Sequence, residues 1–233
     1  MAGGRLEEKP DLPSVDEIRR RIELIPEKSI QMACKALYLL AARASEIVGR
    51  AYVYERFYGV RGVDAHLDYY LLDNRKIDAV VFRLKTAKRK GTPRNIGLPL
   101  DYEPWAKELF DYFQQFGNDY VFPFTRQELW FQAKKHFKDL TYKVYEYPYV
   151  DKKTGELKWK EAHDKSFTLH ALRHLRSVEL VEFYGFDGFN LSAYCGWTIR
   201  SGQARFGVSV SPAMTRYIHL AWQGYFPKLL KKR

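Results

Sequence analysis

His170 and Arg173 stand three residues apart in Thr168-Leu-His-Ala-Leu-Arg-His-Leu-Arg-Ser177, a stretch that otherwise reads as a buried helix. Side chains at i and i+3 leave a helix on one face, so the imidazole and the guanidinium project together. Together they make a site for an anionic oxygen. Burying such groups is costly unless something pairs with them. The partner is either a structural carboxylate or a phosphate. Arg43 and Glu46 form a second pair at the same spacing, in Ala41-Ala-Arg-Ala-Ser-Glu-Ile47. Such a pair is by default a local salt bridge. Two guanidiniums can fork onto the oxygens of one phosphate.

Other residues extend this chemistry. Trp197, after Gly196, offers an indole N–H that donates to an oxygen but cannot transfer a proton. Its bland reading is an aromatic core plug. Lys85 opens the basic segment Lys85-Thr-Ala-Lys-Arg-Lys-Gly-Thr-Pro93, where Lys88, Arg89, Lys90 and the following Arg94 offer contacts to phosphates. Tyr217 lies in Thr215-Arg-Tyr-Ile-His219. A phenol titrates near 10, so it needs cationic neighbours to attack at neutral pH.

The elements that must position these groups can be read in order. Residues 1–13 form a polar leader with Gly3, Gly4, Pro10 and Pro13. Ser14-Val-Asp-Glu17 is a capping box opening a short basic helix to about Ile25, and Pro26 breaks it. The apolar stripe Ile30, Ala33, Leu37, Leu40, Ala44, Ile47 predicts one helix from Lys28 to Val48. Residues 66–72, 79–84 and 94–100 read as three antiparallel strands, with a turn at Asp73–Lys76 and the basic tip between the last two. Pro104–Phe116 is an amphipathic helix, and Thr125-Arg-Gln-Glu128 caps another to about Phe137. Residues 141–160 alternate aromatic and polar around a turn at 151–156, an inserted β-hairpin. The His170 helix runs from Ser166 or Thr168 to Gly185, and Ser211-Pro212 opens a last helix. The expected fold class is α+β: a mainly helical domain over 14–233 with a small three-stranded antiparallel sheet.

Composition limits the partner. Lys and Arg number 39 against 28 acidic residues, a net charge of +11, which favours nucleic acid first and an anionic membrane surface second. No run of 18 apolar residues predicts a membrane span, and the leader lacks the apolar region of a secretory signal. Cys34 and Cys195 alone build neither a disulfide framework nor a zinc site, which fits a reducing interior.

In chain order, Arg43 with its flanking Ala-Ser-Glu, Lys85 on a hairpin, His170-Ala-Leu-Arg-His174, Gly196-Trp197 and Tyr217 resemble the catalytic domain of tyrosine recombinases, of integrase or Xer-like type. The resemblance covers about Val15 to Tyr225. It implies the fold of DNA breaking–rejoining enzymes, with Arg43, Lys85, His170, Arg173, Trp197 and Tyr217 as catalytic residues and Glu46 orienting Arg43. It further implies that Tyr217 forms a 3′-phosphotyrosyl link and that Lys85 protonates the leaving 5′ oxygen, Lys88 and Lys90 being alternatives in the same tip. Tyr225 is the reserve nucleophile. No metal, ATP or other cofactor is called for. The implied partner is double-stranded DNA, bound by a synaptic tetramer of a chain that is monomeric when free, with no membrane. The implied setting is the cytoplasm of a prokaryotic host, nucleoid-associated, or a virus or plasmid within it.

Two departures stand beside this resemblance. Tyr217 lies twenty residues after Trp197, farther than the family usually has it, and Arg200–Gly207 reads as an insertion. A separate helical domain usually precedes the catalytic one, but only a short leader precedes the first catalytic helix here; either the chain is a catalytic fragment, or it binds DNA without that clamp and weak affinity for short duplexes follows. Three other readings stay open: an inactive DNA-binding relative, a type IB topoisomerase-like relaxing activity, and an RNA-binding module using the aromatic hairpin.

Overall fold

The computed structural model describes residues 12–48, 50–51, 56–57, 59–85, 93–144, 147–151, 153–197 and 222–231. The fold is α+β, with seven α-helices and a three-stranded antiparallel sheet among the described residues.

Helix α1 (Val15–Glu23) starts at Ser14, whose hydroxyl accepts from the Glu17 amide at 3.2 Å, as the capping box predicts. Its buried residues, Ile18 and Ile22, are one turn apart. Helix α2 (Lys28–Leu39) is buried at every position from Ile30 to Leu39, so it is the axis of the core. The predicted helix to Val48 does not run through. Helix α2 stops at Leu39, Ala41 turns into the left-handed region at φ 41°, and the chain restarts as α3 (Ala44–Ile47) with Arg43 at its N-cap. No Gly or Pro marks this break. Arg94, far away in sequence, stabilises it by donating from Nη2 to the freed carbonyls of Leu40 (3.2 Å) and Ala41 (3.3 Å).

Strands β1 (Arg50–Ala51) and β2 (Arg56–Phe57) pair as a short ladder. The main sheet follows as β3 (Ala65–Leu72), β4 (Arg75–Lys85) and β5 (Pro93–Pro99), in that spatial order. Asp73 and Asn74, at φ 48° and 61°, join β3 to β4 with both residues left-handed, the geometry two-residue hairpin turns favour. One face of the sheet meets α4 (Ala106–Gln114) through Phe82 and Phe113, whose rings are 5.2 Å apart. The other face is covered by the short 3₁₀ turns at Trp222–Gly224 and Phe226–Leu229, with Tyr70 stacked on Phe226 at 5.1 Å.

Trp222 lies so close over β5 that a Cβ on Gly97 would sit 2.2 Å from its Cε3. Gly97→Ala is therefore expected to destabilise the fold by about 1–3 kcal/mol, the usual cost of overpacking. Urea unfolding followed by tryptophan fluorescence measures this, and an unchanged midpoint would show that Trp222 yields freely.

Thr125 and Glu128 close a reciprocal capping box on α5 (Arg126–Ala133). The predicted hairpin is longer than 141–160. Strands β6 (Thr141–Val144) and β9 (His163–Ser166) continue the same register as β7 (Tyr147–Val150) and β8 (Leu157–Lys160), so the arm extends to Ser166. It leads directly into α6 (Leu169–Glu182), and α7 (Gly188–Cys195) follows.

A buried charge network ties α1, α2 and α6 to the loop before α4. Arg176, fully buried, donates to Glu103 at 2.5 Å and Glu179 at 2.6 Å. Arg19 reaches the same two carboxylates at 3.3 and 3.4 Å, and the Tyr38 hydroxyl donates to Glu179 at 2.5 Å. Among the described residues, no helix is long and apolar enough to cross a membrane.

Candidate functional site

The site is built around Glu46, a carboxylate with no solvent exposure. Its two oxygens serve three arginines from three separate parts of the chain. Arg43, at the start of α3, donates its amide to Oε2 at 3.0 Å and its Nη1 to Oε1 at 2.7 Å. Arg94, on β5, places Nη2 3.3 Å from Oε2. Arg173, on α6, holds Nη1 3.7 Å from the same oxygen. Burial alone would raise the Glu46 carboxyl. Arg94, the Arg43 amide, Arg173 and the Arg43 guanidinium outweigh it and hold the group below the usual glutamate range.

Helix α6 delivers Arg173 because Leu169, Ala171, Leu172, Leu175 and Leu180 bury its inner face. Arg173 itself is 3% exposed. Its Nη2 donates to the carbonyl of Cys195 at 2.7 Å, the last residue of α7, while Nη1 has no hydrogen-bond partner among the described residues. Burial, with Arg94 and Arg43 beside it, lowers the Arg173 guanidinium to about 10, still charged at neutral pH. Helix α7 ends on Gly196 at φ 65°, a conformation glycine adopts without steric cost, and the turn places Trp197 with its ring centroid 5.8 Å from the Arg173 guanidinium carbon. That Nη1 is a buried, charged donor without a hydrogen-bond acceptor, so the cluster is suited to receive one.

His170 is exposed at the mouth of the cluster, its ring edge-on to His174 at 4.6 Å. Desolvation by the surrounding side chains, then His174, Arg173, Arg43 and Lys165, push its imidazole down to about 4. The ring is therefore neutral at physiological pH and can accept a proton or a hydrogen bond. Keeping it neutral contributes stability above the ordinary histidine value, and that contribution is lost as pH falls through that value toward about 4. An anion among the arginines should reverse the shift. Titrating the His170 ring by NMR with and without inorganic phosphate is expected to show an upward move with phosphate; an unmoved pKa would mean that His170 does not face the anion.

The fold thus brings Arg43, Glu46, His170, Arg173 and Trp197 into one place. Lys85 is exposed at the end of β4, opposite Pro93, and no contact among the described residues ties it to the cluster. Lys88, Arg89, Lys90, Tyr217 and the expected helix start at Ser211-Pro212 lie outside the described residues.

Two expectations change. Arg94 is buried rather than on the surface. It is 9% exposed, and its Nη atoms donate to Leu40, Ala41, Glu46 and the Tyr194 carbonyl, while Nε has no hydrogen-bond partner among the described residues. The signal was available: Arg94, Ile96 and Leu98 alternate onto one strand face, and the last two are core residues. Tyr225, the reserve nucleophile, is 1% exposed, and burial raises its phenol well above the ordinary value, so it keeps its proton.

Among the described residues, no three His, Cys, Asp or Glu side chains group as metal ligands. No protein-family model matches this chain, and a search of curated proteins finds no relative.

Proposed function

We propose that this protein breaks and rejoins DNA in the manner of tyrosine recombinases, acting as a site-specific integrase-type enzyme. The observation that carries the reading is the buried Arg173 Nη1, left without a hydrogen-bond partner among the described residues beside Arg43, His170 and Trp197. In this reading Arg43 and Arg173 fork onto the non-bridging oxygens of the scissile phosphate, which gains a second charge in its pentavalent transition state. His170 accepts the proton that the nucleophile loses, and the Trp197 indole donates to a phosphate oxygen. Tyr217 attacks phosphorus, the bond to the 5′ oxygen breaks, and Lys85 protonates that oxygen, with Lys88 and Lys90 as alternatives. The phosphotyrosyl ester keeps the energy of the broken bond, so the free 5′ hydroxyl of a partner strand can reverse the step. Strand exchange would take place in a tetramer on DNA, in a prokaryotic cell or on the replicon of a virus or plasmid within it.

The test is incubation with nicked suicide duplexes in EDTA, followed by denaturing electrophoresis. A covalent adduct that disappears in Tyr217→Phe is expected. An adduct that survives that substitution would remove Tyr217 as nucleophile. Tyr217 lies twenty residues after Trp197, and this offset favours one second reading, an inactive relative that only binds DNA. That reading predicts binding in a gel shift with no adduct on any duplex bound. Relaxation of supercoiled plasmid would instead point to a topoisomerase-like activity.

A further inference from the structure

We propose that Arg94 is a positioning residue that keeps Arg173 available to an anion by occupying Glu46 in its place; this rests on the phosphate-binding reading above. A carboxylate oxygen has two lone pairs. On Glu46, Oε2 already accepts from the Arg43 amide at 3.0 Å and faces Arg94 Nη2 at 3.3 Å. Arg173 Nη1, aimed at the same atom, stands off at 3.7 Å. With Oε2 saturated, Arg173 is close enough to feel the carboxylate and too far to be neutralised by a direct hydrogen bond.

The rest of Arg94 explains why it can hold this post. Its guanidinium is fixed by the carbonyls of Leu40 and Ala41, where α2 ends, and by the carbonyl of Tyr194, beside the end of α7. Arg173 donates to the next carbonyl, Cys195. Arg94 therefore sets the distance between the two backbone segments that flank the site. It also leaves three guanidiniums around one carboxylate among the described residues, an excess of positive charge that suits an external anion.

Removing Arg94 should free an Oε2 lone pair. Arg173 would then close on Glu46 and lose its capacity for phosphate. The measurement is the binding of inorganic phosphate to the intact protein, read by calorimetry and by the phosphate-induced shift of the His170 ring. Arg94→Met is expected to weaken phosphate binding by about tenfold or more, the worth of a charge-assisted hydrogen bond. Adding Glu46→Gln to Arg94→Met should recover most of that loss, because no carboxylate remains to capture Arg173. A purely structural role for Arg94 predicts the opposite, a double variant no better than the single one.

Circular dichroism monitors folding. If Arg94→Met does not fold, Arg94→Lys retains the charge without the fork and should bind phosphate more weakly than wild type, with recovery again on Glu46→Gln. Equal phosphate binding by wild type and the folded variant overturns the proposal, as does failure of both variants to fold. A wild-type protein that binds no phosphate refutes instead the phosphate reading of the site.

Discussion

Arg176→Met is expected to cost about 3–5 kcal/mol, the penalty for removing one partner from a buried ion pair. Arg176 is completely buried, and its two nitrogens reach Glu103 at 2.5 Å and Glu179 at 2.6 Å. Methionine fills similar space but leaves both carboxylates inside the protein without their nearest cation, Arg19 standing farther off at 3.3 and 3.4 Å. A domain holds only about 5–15 kcal/mol in all, so the urea midpoint should fall by roughly 1–3 M. The pH dependence identifies the cause. In the wild type, burial would raise the Glu179 carboxyl, but Arg176 and Arg19 outweigh it and hold it below the usual range. Its contribution to stability is then present above that range and lost as pH falls through the lowered value. In the variant the carboxyl moves up, and protonation relieves the buried negative charge. The penalty should therefore shrink between pH 7 and pH 5. A loss below about 1 kcal/mol, or one independent of pH, would show that water or Arg19 replaces Arg176.

The same network shows what a sequence can and cannot reveal. Arg176 and Glu179 are three apart on one helix, so their pairing is local and visible in the spacing. Glu103 is not, because it arrives from the loop before α4, 73 residues away. The candidate site divides along the same line. Arg43 with Glu46, and His170 with Arg173, are pairs set by helical spacing or a capping turn, and each was legible alone. Their meeting around one carboxylate depends on packing of α6 against α2, for which the alternation of apolar residues gives a face but no partner. The three strands were legible because period-2 patterns bounded by turn residues are local signals. The break at Ala41 was not, because the apolar stripe continues across it and its stabilising group, Arg94, comes from a strand beyond the first sheet hairpin. The inserted arm extends six residues beyond its predicted end at 160, since His163–Ser166 carries no apolar alternation to mark it as strand.

On the proposed DNA-breaking reading, Arg173→Lys should retain the fold and lose DNA cleavage by about 100-fold to 1,000-fold, the range measured when one donor to a developing charge is removed elsewhere. The size follows from what the guanidinium does here. Nη2 is committed to the Cys195 carbonyl at 2.7 Å, and Nη1 stands 3.7 Å from Glu46 Oε2 with no hydrogen-bond partner among the described residues. A planar fork does both at once; a lysine ammonium is a single point that must choose. At 3% exposure, the ammonium would settle on the Cys195 carbonyl or on Glu46, and either choice leaves the phosphate with one guanidinium instead of two. Arg173→Ala removes the charge as well and should abolish the adduct. Single-turnover cleavage of a suicide duplex separates these effects from binding. The rate constant for adduct formation should collapse while the affinity for the uncleaved duplex, which rests on many phosphates, changes by less than about tenfold. Circular dichroism and the urea midpoint of the lysine variant serve as the folding control. Full-rate cleavage by a folded Arg173→Lys protein would mean that the scissile phosphate does not sit against α6, and the anion site around Glu46 would need another occupant.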